Sequence, residues 1–104
     1  MTPAAMRTLR EMAAQEDELE GEIVCEGREI WIGYTRIGAG TLNQLLRLLA
    51  VRDVSEGNGL RRFAINDTGK ALVANPFLES ALAQAIALGK PFTIIDGKIQ
   101  DMPA

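Results

Sequence analysis

The sequence predicts an α+β fold, and three stretches of its 104 residues carry the prediction. Leu42, Leu45, Leu46 and Leu49 recur at i, i+3, i+4 and i+7, the period of a helix with one buried face. Val51–Ser55 and Leu60–Ile65 alternate on either side of the turn-forming run Glu56-Gly57-Asn58-Gly59, as the arms of a β-hairpin do. Phe92–Ile95 and Lys98–Met102 flank Asp96-Gly97, a dipeptide suited to the positive φ angles of a type I′ turn. A hydrophobic fraction of 47% with 24% charged residues belongs to a folded chain and not a disordered one. The length predicts one domain, residues 1–104, with room for a single modest core.

The remaining elements follow in chain order. Thr2-Pro3 opens a helix, with a hydroxyl at the cap and proline where its missing N–H costs nothing. Met6, Leu9, Met12 and Ala13 keep helical spacing to about Gln15, with a possible extension through the acidic run to Glu20, and Gly21 ends it. Glu22–Gly33 reads as an extra hairpin turning at Glu26-Gly27, with Ile30 and Ile32 on one face and Trp31 on the other. Thr41 is the expected cap of the leucine helix, which runs to Ala50; Leu48 falls off its stripe. After the 51–65 hairpin, Asn66, Asp67 and Thr68 offer caps for a helix carrying Ala71, Leu72 and Val73. Asn75-Pro76 starts an Ala-rich helix that Gly89 closes. Its polar residues after Pro76 are only Glu79, Ser80 and Gln84, and a helix apolar nearly all round is normally covered all round. A second copy of the chain is the expected cover, with Phe77, Leu78, Ala81, Leu82, Ala85 and Ile86 at a homodimer interface.

Composition limits the chemistry. The chain has no histidine, which removes the usual general base and the commonest transition-metal ligand. Cys25 is its only cysteine, so neither an internal disulfide nor a Cys/His zinc site can form, and no acidic loop has calcium-site spacing. Gly38-Ala39-Gly40-Thr41 lacks the lysine of a phosphate-binding P-loop. No catalytic site, cofactor or metal is expected. No apolar run approaches the roughly 20 residues that span a bilayer, and residues 1–12 lack the apolar segment of a signal peptide. The expectation is a cytoplasmic protein with no membrane partner.

The net charge of −3 disfavours nonspecific DNA binding, but it is unevenly spread. Residues 1–27 hold two arginines against seven acids, whereas residues 28–70 hold seven basic residues against four acids. The positive segment coincides with the helix–hairpin–helix run of residues 35–74.

That run also resembles a known family. Thr41-Leu42-Asn43-Gln44-Leu45-Leu46, the following glycine-bearing hairpin, and the pattern formed by Phe63, Ile65, Gly69 and Lys70 resemble the C-terminal half of winged helix-turn-helix domains of bacterial transcription regulators. The likeness covers roughly a third of the chain. It implies a winged-helix-like core at about 35–74, followed by a C-terminal helix and hairpin at 75–102. It also implies that the 41–50 helix stands in the recognition position, with Asn43, Gln44 and Arg47 facing a major groove whose adenine and guanine edges suit them. Asn58 would lie near the wing tip, and Arg36, Arg61 and Arg62 would contact phosphates. Where a winged helix has a complete helix before the recognition helix, residues 22–33 here read as strands. The function expected is that of a small, regulatory duplex-DNA-binding protein. The alternative is a non-catalytic protein–protein interaction or dimerisation module on the same scaffold, since a shared fold does not fix function. Asn43, Gln44 and Arg47 are equally the solvated face that any amphipathic helix has, and Arg61 and Arg62 are equally an edge strand's solubilising charges. Cys25 reads as a small packed hydrophobe without a basic neighbour, and Trp31 as a core or hairpin residue.

Overall fold

A computed structural model describes residues 1–57 and 59–101, so Asn58 at the expected wing tip and Met102 at the end of the last hairpin lie outside the described residues. The fold is α+β. Among the described residues, four helices accompany a five-stranded antiparallel sheet and a separate two-stranded hairpin.

Helix α1 (Pro3–Ala14) begins as its sequence dictates: the Thr2 hydroxyl accepts the Ala5 N–H at 3.2 Å, with Pro3 in the first turn. It stops at Ala14, short of the acidic run. Gly21 instead closes a separate 3-10 turn, Leu19–Gly21, where a Cβ would lie 2.0 Å from the Gln15 carbonyl oxygen. Strands β1 (Ile23–Glu26) and β2 (Glu29–Ile32) form the expected hairpin. A third strand, β3 (Thr35–Ile37), pairs with β2 after Gly33 turns the chain at φ 56°. Sequence pattern gave no sign of it, because three residues are too few to show a period. The position before the next helix is therefore filled by a strand.

Helix α2 (Ala39–Arg47) starts two residues before the expected Thr41 cap, with Gly38 at its N-terminus and no side-chain cap. It also ends early. Leu48 caps it and Leu49 takes a left-handed φ of 55°, so Leu49 swings off the helical face. The buried stripe is consequently Leu42, Leu45 and Leu48, while Leu46 and Leu49 are exposed, a reversal of the expected assignment for Leu48. Strands β4 (Val51–Asp53) and β5 (Arg61–Ile65) follow as the second hairpin, then α3 (Asp67–Ala74), capped by the Asn66 side chain. The helix–hairpin–helix order expected for residues 35–74 is present.

Asn75 accepts the Phe77 N–H with its side-chain oxygen at 3.2 Å, and helix α4 (Leu78–Leu88) ends at left-handed Gly89. Strands β6 (Phe92–Ile95) and β7 (Lys98–Asp101) turn through Asp96 (φ 52°) and Gly97 (φ 73°), both positive as a type I′ turn requires.

The large sheet runs in the order β3-β2-β1-β5-β4. Ile23, Ile32 and Phe63 stand side by side across β1, β2 and β5, and this face packs on α1, α2 and α3. Phe63, Leu9, Met12, Ile23, Leu45, Leu72 and Leu82 are its largest fully buried side chains. On the opposite face, Val24, Trp31, Arg36 and Arg62 are cross-strand neighbours. That face is open, with Trp31 and Val24 only half-buried.

Candidate functional site

The residues expected to bind nucleic acid are dispersed. Asn43 and Arg47 are exposed on α2 and form no hydrogen bond or ion pair among the described residues. Gln44, between them in sequence, is occupied: its side-chain oxygen accepts the Thr2 N–H at 2.7 Å and the Thr2 hydroxyl at 3.3 Å, tying α1 to α2. Arg36 stands on the open sheet face beside Trp31, 4.0 Å from Glu29. Arg61, on β5, lies over the Phe63 ring at 5.2 Å and 3.4 Å from Asp53.

Arg62 is the clearest departure from the phosphate-contact expectation. Its Nε donates to Glu22 at 2.9 Å, and both side chains are only 18% exposed. The hydrogen bonds to Glu22, then its charge, raise the guanidinium pKa further above its already high ordinary value. A cation already answered by a half-buried carboxylate has little left to offer a phosphate. The three arginines expected at phosphates thus each face an acid, and they occupy both faces of the sheet, because alternation along β5 sends Arg61 and Arg62 to opposite sides.

The residues expected at a dimer interface divide between the two sides of α4. Leu78 and Leu82 belong to the chain's own core, and Ile86 packs partly against it. Only Phe77, at 92% exposure, with Ala81 and part of Ala85, remains outward from that set, and Leu88 extends the same face.

The open sheet face supplies what sequence reasoning passed over. A groove of about 500 Å³ crosses it. Val24 and Trp31 form its floor, and Leu19 (72% exposed) and Tyr34 (96%) stand at its sides. Glu20 and Glu26 line it without any ion pair among the described residues, whereas Glu22 is held by Arg62. The only available signal was alternation, which places Trp31 opposite the isoleucines; whether that second face is covered is a property of the packed chain. A second groove of about 420 Å³ lies between α1 and the β3–α2 connection, lined in part by Arg7, Glu11 and Thr41.

No group of three or more His, Cys, Asp or Glu able to hold a metal occurs among the described residues, and every buried polar side-chain atom there is hydrogen-bonded. Cys25 does have a basic neighbour, since Arg61 faces it across β1 and β5. Burial outweighs that charge and pushes the thiol pKa up, which disfavours the reactive thiolate. No helix among the described residues is long and apolar enough to cross a membrane. No protein-family model, characterised protein or solved structure matches the chain.

Proposed function

We propose that the chain is a non-catalytic binding module on a winged-helix-like scaffold that engages a protein partner through the open face of its sheet. The observation that carries this reading is the exposed aromatic groove. Trp31, Tyr34 and Leu19 present large apolar surface to solvent in one place, and contiguous apolar surface rimmed by polar groups is characteristic of interaction sites. The helix–hairpin–helix order of α2, β4–β5 and α3 supports the scaffold. A single half-buried cysteine accords with a cytoplasmic setting.

The test is site-specific photocrosslinking in the source cell, with the reactive group at Tyr34 or, as a comparison, at Asn43. A discrete protein adduct from position 34 that Trp31→Ala abolishes is the expected result. Absence of any adduct from that position would defeat the reading.

Nucleic-acid binding is the second reading, favoured by the unpartnered Asn43 and Arg47 on the outer side of α2. It predicts salt-sensitive binding of duplex DNA, read by fluorescence anisotropy, that Arg47→Ala weakens. Equal binding by that variant, or none at low salt, removes it. Homodimerisation accompanies either reading only through the outward side of α4, at Phe77, Ala81 and Leu88.

A further inference from the structure

Resting on the partner-binding reading, we propose that the segment received by the open-face groove is cationic: a peptide stretch that places a lysine or arginine over Trp31, close to Glu20 and Glu26, with an apolar neighbour against Leu19 and Tyr34. The charge of the groove selects the partner. Every charged side chain lining it is a glutamate; Arg36 and Arg62, the cross-strand neighbours of Trp31 and Val24, border it and face Glu29 and Glu22. Glu22 is neutralised by Arg62, so the free negative charge belongs to Glu20 and Glu26. The same groove is lined by the indole of Trp31 and the phenol of Tyr34, whose π faces attract a cation most strongly when its water is partly displaced. An ammonium or guanidinium entering here meets a groove whose unpaired charges are carboxylates and whose lining includes two aromatic rings. A phosphate meets repulsion from both carboxylates, so the groove rejects a nucleic-acid backbone.

The apolar part of the groove extends the requirement from a lone cation to a peptide. Leu19 and Tyr34 stand almost fully in water in the free chain, and a small ammonium would leave both uncovered. An aliphatic side chain next to the cationic one would cover them, as the stem of the lysine or arginine itself does in part.

The experiment uses the full chain and two capped synthetic nonapeptides. One has an Arg-Leu-Arg centre in a Gly/Ser frame; in the other each arginine is replaced by glutamine. Trp31 is the only tryptophan, so its emission reports occupancy directly, and anisotropy of fluorescein-labelled peptide gives the affinity. The arginine peptide should shift Trp31 emission saturably and bind about tenfold more tightly than the glutamine peptide. Raising the salt from about 0.05 M to about 0.5 M should weaken it severalfold. The double substitution Glu20→Gln/Glu26→Gln, at two exposed positions, should remove most of the difference between the peptides while leaving the thermal midpoint in place. Equal affinity for the two peptides would overturn the cationic assignment and leave the partner-binding reading standing. No Trp31 response to either peptide would overturn the assignment too, and the Tyr34 crosslink then decides the reading separately. A doubled mass with no peptide bound that Trp31→Ala abolishes and Phe77→Ser leaves in place would give the groove to a second copy and overturn the assignment as well.

Discussion

The side-chain amide of Asn66 donates to the Leu49 carbonyl at 2.7 Å while its oxygen accepts the Gly69 N–H at 2.9 Å, so one residue fastens the reversal after α2 to the start of α3. The Asn66 backbone N–H adds a bond to the Ala50 carbonyl at 3.3 Å. Leu49 holds a left-handed φ that a leucine adopts only under constraint, and this amide is a constraint on it. Asn66→Ala removes both side-chain bonds and should destabilise the fold by about 1–2 kcal/mol. Asn66→Asp keeps the cap but sets a carboxylate against the Leu49 carbonyl, and should recover only part of that loss. Urea unfolding of the three proteins ranks them.

Gly69 is needed for a different reason. A Cβ there would lie 2.3 Å from the Ala50 carbonyl oxygen and 2.7 Å from Ile65 Cγ1, so α3 can lie against the β4 entry only without one. Gly69→Ala should therefore cost about 2 kcal/mol or more, although alanine is the better helix former. Gly40, in the first turn of α2, has nothing within 4 Å of its Cβ position. Gly40→Ala should be neutral or stabilising by up to about 1 kcal/mol. Opposite signs for two glycine-to-alanine changes in helices, seen in chemical denaturation, check both statements.

Arg62 and Arg36 should separate as cleanly. Arg62→Ala leaves the half-buried Glu22 carboxylate without its partner and should lower the thermal midpoint. Arg36→Ala breaks a 4.0 Å contact between largely exposed groups and should leave the midpoint unmoved within error. Calorimetry on both variants is sufficient. Reduced DNA binding by Arg62→Ala alone would then report lost folding and not a lost phosphate contact.

The β4–β5 hairpin carries a pH dependence through Asp53. Hydrogen bonds from the Ser55 hydroxyl and N–H, and more weakly Arg61, hold its carboxyl below the usual carboxylate range in the folded chain. A carboxylate whose folded pKa is depressed adds stability above its unfolded pKa, and that stability is lost as the pH falls through the folded value. Asp53→Asn should thus be less stable than the parent at about pH 6, with the gap closing below about pH 4. Urea midpoints measured across that range give the result, and a gap that widens in acid would contradict it.

The outward side of α4 gives the last prediction. Phe77 is 92% exposed, and Ala81 and Leu88 lie on the same side. Light scattering at increasing protein concentration should show association that Phe77→Ser reduces. Leu82→Ser, at a fully buried position, should instead unfold the chain.

Much of this fold is local and could be read directly. Thr2-Pro3, Asn66 and Gly89 set helix ends through bonds within a turn or through a single φ angle, and Asp96-Gly97 sets the last hairpin, so four or five residues contain the whole cause. The leucine run of α2 was legible as a helix but not in phase. Two faces of similar apolarity compete there, and the choice of Leu48 over Leu49 depends on where Asn66, seventeen residues later, pins the chain.

The candidate site was legible in less measure. The sequence showed arginines gathered in one segment, yet nearness along a chain is not nearness in space. Strand alternation parted Arg61 from Arg62, Glu22 claimed Arg62 from forty residues away, and Thr2 claimed Gln44. Residue chemistry and local period determined the α+β class, the element order, the caps and the turns. Only the tertiary structure decided which sheet face stays open, which charges are already answered, and which apolar side chains of α4 the core keeps, because each depends on contacts between elements that no local pattern records.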